Sequence, residues 1–271
     1  MKVPPVVLSI AGYDPSSGAG VTADIKTAAA QGCFAVTCVT ALTVQSSQGV
    51  FEVRPLDPDL VLRTLGALAE DLEIAAIRIG MLGSAAVAST VAIVLKALKL
   101  HNIVVDPVLR SSSGVALLDE PGLKVLRQEL LPLADVVTPN VEEATVLAGM
   151  EAAPLRAACE DVLPWRRRTA AKLLALGSRA VVITSGDLPE ANDYLSYLEN
   201  GKMREEILSG THIESGSTHG TGCAFATAIA CQLALGQGLP NAVRAAKQYV
   251  RKAVETAYPV GKGIGPLNHM V

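Results

Sequence analysis

Six short β-branched runs, separated by longer stretches with apolar residues at three- and four-residue spacing, constrain this chain more than any other feature. The runs are Val6 to Ala11, Ala35 to Leu42, Ala75 to Ile79, Asn102 to Asp106, Asp135 to Thr138 and Arg179 to Thr184. They are apolar almost throughout, as strands covered on both faces must be. The helical stretches are Val21 to Gln31, Pro58 to Leu72, Ala85 to Leu98, Pro121 to Leu130 and Trp165 to Leu176. Alternation of this kind predicts an α/β fold, with a mostly parallel central sheet and helices on both faces. Ligands in such folds bind beyond the carboxyl ends of the strands, so functional residues are expected just after each run. Asp193 to Leu198 and Met203 to Leu208 flank Glu199, Asn200 and Gly201 and read as a hairpin. Two helices, Thr221 to Leu235 and Pro240 to Ala257, follow. No repeat, low-complexity tract or linker interrupts the pattern, so one domain over 1–271 is expected.

Half of the 271 residues are hydrophobic, enough for a sizeable core without disulfides or a structural metal. A net charge of -3 supplies no basic face, which argues against nucleic acid and anionic membranes as partners. The five cysteines form no CxxC pair and one is left over, which points to a reducing, cytoplasmic setting. The longest uncharged apolar stretch, Cys223 to Gly236, falls short of the roughly 20 residues that cross a bilayer. The opening residues read as a buried strand and not as a signal peptide.

Three places carry the signs of chemistry. The first is Ser217-Thr218-His219-Gly220-Thr221-Gly222-Cys223, which opens a helix of small residues. Unpaired amides and the positive dipole end at such a start favour a phosphate, and glycine lets it approach. A cysteine in that turn is expected to have a lowered thiol pKa and to accept a proton from a bound hydroxyl. It also reads as a small buried side chain at a tight junction. The second is the glycine-rich loop from Gly12 to Gly20, before a helix with Asp24 and Lys26. Gly18, Gly20 and Ala23 match a dinucleotide fingerprint, but no acidic residue lies between Asp24 and Glu52, which argues against that use. The third is Asp106-Pro107-Val108, with Thr138-Pro139-Asn140 and Glu142-Glu143 after the next strand. Asp106 and Glu143 suit magnesium, directly or through water. The Asn140 segment reads equally as an ordinary capped helix start. There is no Walker A loop, HExxH pair or GxSxG elbow.

Seven segments together resemble the hydroxymethylpyrimidine and phosphomethylpyrimidine kinases, of the ribokinase-like superfamily, in that family's order. They are IAGYDPSSGAGVTADIKT, TALTVQSSQGV, IRIGMLGS, DPVLRSSSG, LLPLADVVTPNVEEA, STHGTGCAFATAIA and GKGIGPLNH, spread over nearly the whole chain. The resemblance implies a ribokinase-like fold that uses ATP and Mg²⁺ to phosphorylate 4-amino-5-hydroxymethyl-2-methylpyrimidine and then its monophosphate, for thiamin biosynthesis. It implies that Gln45 reads the aminopyrimidine, that Ala19, Val44, Met81 and Val108 surround it, and that Asp24 contacts it or orders its loop. It places the anion hole at Gly220, Thr221 and Gly222 and the base at Cys223. Nucleotide contacts are expected from Asp106, Asn140, Thr184, Gly186 and His219, metal contacts from Glu143 and Asp106, and assembly as a homodimer.

Tyr13, Ser17, Ser112 and Thr184 to Asp187 depart from the family pattern. A lysine missing at Ser112 is expected to weaken the more highly charged monophosphate reaction, because one fewer cation faces the phosphates. Some pyridoxal kinases also carry cysteine at the base position, so a pyridoxal or pyridoxine kinase stays open as an alternative. So does a pyrimidine-binding sensor without turnover.

Overall fold

The computed structural model describes residues 3–151, 159–185 and 191–271. Nine strands form one sheet in the order β3-β2-β1-β4-β5-β6-β7-β8-β9. They are β1 (Val6–Tyr13), β2 (Phe34–Ser46), β3 (Gly49–Pro55), β4 (Ile74–Ile79), β5 (Ile103–Val105), β6 (Val136–Val137), β7 (Ala180–Ile183), β8 (Asp193–Glu199) and β9 (Lys202–Leu208). The strands from β2 through β1, β4, β5 and β6 to β7 pair in parallel. β3 is antiparallel to β2 at one edge, and the β8–β9 hairpin is antiparallel to β7 at the other.

The helices among the described residues are α1 (Gly20–Ala30), α2 (Pro58–Asp71), α3 (Ala85–Leu98), α4 (Glu120–Val125), α5 (Val141–Ala148), α6 (Cys159–Ala175), α7 (Thr221–Ala234) and α8 (Leu239–Glu255). Side chains alternate between two cores, as the strand period requires. Leu8, Ile10, Ile77 and Ile79 face the core built with α2, α3, α5 and α6. Val7, Ala76, Val104 and Val136 face the core built with α1, α7 and α8. The sheet is covered on both faces, as expected for the ribokinase-like fold.

Three local departures have physical reasons. β2 runs past Leu42 to Ser46 and turns back as β3, a strand absent from the expected set. From Leu42 on the residues alternate and are half-exposed, so the continuous apolar signal fades although the strand goes on. The helix expected over Pro121 to Leu130 is α4 followed by a π-helical turn at Leu126–Leu130 and a 3₁₀ turn at Leu131–Leu133, where Pro132 prevents a regular ladder. α6 begins before Trp165 and tolerates Pro164 within it.

Candidate active site

At the carboxyl end of the sheet the first loop folds against the start of α7. Asp14 organises that loop. Its carboxylate accepts from the Ser16 amide at 2.8 Å, the Ser16 hydroxyl at 2.7 Å and the Ala19 amide at 2.9 Å. His219 Nε2 lies 2.9 Å from the same carboxylate. Burial alone would raise the Asp14 pKa, but the hydrogen bonds from His219 and Ser16 hold it below the usual carboxylate value. Gly220 has φ +89° and a Cβ there would lie 1.9 Å from the Gly18 carbonyl oxygen, so only glycine fits where loop and helix start meet.

Gln45 faces this junction from β2. Its Nε2 lies 3.2 Å from His219 Nε2, and Thr43 Oγ1 donates to its Oε1 at 3.1 Å. His219, expected at the nucleotide, therefore stands beside Gln45, the residue expected to read the pyrimidine. A cleft of about 290 Å³ opens here, bounded by Pro15, Gly18, Gln45, His219 and Ile264. The chain's last segment forms one wall. Ser47 Oγ accepts from the amides of Lys262 (3.2 Å) and Gly263 (3.1 Å), and the Ser47 carbonyl accepts from the Ile264 amide at 2.9 Å. The His219 amide donates to the Gly265 carbonyl at 3.0 Å.

Met81 is buried and shares a small apolar cluster with the partly buried Val108. Ala19 precedes α1 as its N-cap residue. Val44 is 54% exposed on its strand, away from a packed wall.

Asp106, just after β5, and Cys223, in the first turn of α7, meet over the sheet. A Cβ at Gly222 would sit 4.0 Å from Asp106 Oδ1, so that oxygen faces the helix start. Burial pushes the Cys223 thiol up to about 11, with Asp106 and Asp24 adding to the rise and Arg78 opposing it. The acidified thiol expected from the helix terminus is thus overturned. Desolvation, together with two nearby carboxylates, outweighs the guanidinium.

Asn140 and Glu143 form a reciprocal capping box. The Glu143 amide donates to Asn140 Oδ1 at 2.9 Å, and the Asn140 amide donates to Glu143 Oε2 at 3.0 Å. The capped-helix reading of this segment holds. Glu143 is also pushed up to about 8, by burial and then by Asp106. Thr184 lies alongside, bridged to Asn140, with its amide donating to the Pro139 carbonyl at 2.9 Å. Gly186 falls outside the described residues.

Asp24, expected near substrate, is wholly buried and faces inward. It accepts from Ser9 Oγ at 2.5 Å, Thr227 Oγ1 at 2.7 Å and Arg78 Nη1 at 3.0 Å. Arg78 and Asp14 were not singled out as site residues from sequence. A lone arginine inside the apolar run Ala75 to Ile79 was the available signal for the first.

The sequence model described as phosphomethylpyrimidine kinase matches residues 14–268. A hydroxymethylpyrimidine/phosphomethylpyrimidine kinase of Streptomyces coelicolor is 41% identical, over 98% of this chain and 94% of its own. An ADP complex of Bacillus subtilis pyridoxal kinase superposes with a TM-score of 0.85 at 31% identity, covering 98% of this chain and 97% of that one. The Clostridium difficile phosphomethylpyrimidine kinase superposes with a TM-score of 0.77 at 32% identity, covering 92% and 99%. With matches that run nearly the length of the chain, this chain belongs to the phosphomethylpyrimidine kinase family.

Proposed function

We propose that this protein transfers the γ-phosphoryl group of ATP to the hydroxymethyl oxygen of 4-amino-5-hydroxymethyl-2-methylpyrimidine, and then phosphorylates the monophosphate, to supply thiamin biosynthesis. The observation that carries this reading is the full-length 41% identity to a kinase named for both steps. The site's chemistry supports it. The Gln45 amide offers a donor and an acceptor to a ring nitrogen and its exocyclic amine. Met81 and Val108 give the ring an apolar wall. The amides of Gly220 to Cys223 stabilise charge on the transferring group, and Cys223 takes the hydroxyl proton.

Asp106 and Glu143 suit a divalent cation. Burial and then the charge of Asp106 push the Glu143 carboxyl up, and a positive ion would relieve both. When bound, Mg²⁺ would supply charge neutralisation on the nucleotide phosphates. Asn140 and Thr184 stand on the same side and serve the nucleotide. His219 holds the substrate loop through Asp14. The exposed Leu42, Val44 and Phe51 on the β2–β3 edge give a cytoplasmic homodimer an apolar contact surface.

The second reading, a pyridoxal kinase, is favoured by the TM-score of 0.85 to the Bacillus subtilis enzyme. ADP release with the pyrimidine alcohol, its monophosphate and pyridoxal, supplied separately and with product masses, decides. Turnover of both pyrimidines is expected. Turnover of pyridoxal alone overturns the assignment, and tight pyrimidine binding without ADP release makes the protein a sensor.

A further inference from the structure

Among the described residues, Arg78 is the largest fully buried side chain. An uncompensated guanidinium is never left in such a place, so what it touches defines why it is there. It projects from the middle of the sheet toward α1 and α7, on the same face as Ser9. Nη1 donates to Asp24 Oδ2 at 3.0 Å, and Nη2 donates to Asp106 Oδ2 at 2.5 Å. Asp24 is itself fixed from two sides, by Ser9 on β1 and Thr227 on α7. The guanidinium thus has an anchored end and a working end.

The working end faces the chemistry. With Oδ2 of Asp106 taken by Arg78, Oδ1 is left turned toward Gly222 in the first turn of α7. The sequence makes room for this. A Cβ on Gly80 would lie 2.1 Å from Arg78 Nη1 and 2.7 Å from its Cζ, so the space that a side chain at residue 80 would take is filled by the folded-back guanidinium. Arg78 Nε has no hydrogen-bond partner. The fork is therefore oriented by its two carboxylates and not by satisfaction of every donor. A lysine has one ammonium in place of a planar fork and cannot hold both carboxylates in the same fixed relation.

We propose that Arg78 is a positioning residue for phosphoryl transfer, a guanidinium anchored by Asp24 that turns the second oxygen of Asp106 to the start of α7, where the metal–nucleotide complex is received. Asp24 anchors Arg78, and its charge also adds to the rise of the Cys223 thiol. This rests on the kinase reading above, in that Asp106 is taken to meet the metal.

The test uses Arg78→Lys and Asp24→Asn in the full chain, with thermal melts, Mn²⁺ titration of the ADP complex by EPR, and steady-state kinetics with the pyrimidine alcohol. Loss of a residue that orients a metal ligand typically costs about 10- to 100-fold in metal affinity or activity. Both variants are expected to bind Mn²⁺ in the ADP complex at least about 10-fold more weakly and to lose kcat to a similar degree, with KM for the pyrimidine within about 2-fold of wild type. A merely structural arginine would lower the melting temperature and leave the Mn²⁺ affinity of the folded fraction unmoved, and that result overturns the proposal. Should Arg78→Lys not fold, Asp24→Asn carries the same test, because it keeps the guanidinium and removes only its anchor's charge. A wild-type protein that binds Mn²⁺ and ADP but turns over no pyrimidine sinks the kinase reading alone, since the Mn²⁺ comparison is read without turnover.

Discussion

In the proposed transfer Cys223 takes a proton although burial pushes its thiol up to about 11. At neutral pH only a small fraction of the free enzyme carries the thiolate. The value of kcat/KM for the pyrimidine alcohol should therefore climb with pH from 7 to 9 without reaching a plateau, because the base must be deprotonated and its pKa lies above that range. A pH–rate profile checks this, and a plateau near pH 7 would mean that another group takes the proton. Cys223→Ala should lower turnover of the alcohol by about 10² to 10⁴. The monophosphate, whose attacking oxygen is already ionised, should lose far less. Equal losses on the two substrates would point to packing in place of proton transfer. At this scale the sequence showed residue types and positions well. It did not show the sign of the Cys223 shift, because that depends on Asp24 and Asp106, which reach it from α1 and from the end of β5.

Two element starts, those of α5 and α7, can be perturbed one at a time. The capping box at α5 joins Asn140 to Glu143, and Asn140→Ala removes both the cap and the partner that orients the acid. A loss of about 1 kcal/mol in urea unfolding is expected, together with a raised KM for ATP. At the start of α7, Gly220→Ala combines a positive φ with a clash against the Gly18 carbonyl. That variant should fold less stably by more than about 1 kcal/mol and lose measurable turnover, since the loop carrying Asp14 must move. Most elements were legible because their apolar period is unbroken; α3 matches its expected bounds, Ala85–Leu98. β3 was not, since Phe51, Glu52 and Arg54 are exposed and only pairing with β2 makes that run a strand. The inward turn of Asp24 was also hidden, because its partners Ser9, Arg78 and Thr227 come from three separate elements.

Across the whole molecule, the end of the chain is held against α1 and α8. His269 is buried, with Nδ1 3.1 Å from Thr27 Oγ1 and its carbonyl accepting from the Tyr249 hydroxyl at 3.2 Å. Burial, and then Lys26, push its pKa down to about 4. The folded protein therefore keeps the ring neutral where the unfolded chain protonates it. Stability from this group is complete above the ordinary histidine pKa of ~6.5 and drains away as pH falls toward 4. At pH 5 the loss amounts to about 2 kcal/mol. Urea unfolding at pH 7 and pH 5 should show this difference in wild type and a smaller one in His269→Asn. Equal slopes in the two proteins would remove His269 as the cause.

The strap from Lys262 to Gly265 ties the turn after Gln45 to the amide of His219. A ribosome making this protein lays down Gln45 early and α7 late, and the piece that joins them comes later still. A nascent chain that has emerged only as far as α8 holds most of the fold but lacks one wall of the cleft. The cleft beside Gln45 and His219 is thus completed only after the sheet that carries it has been made.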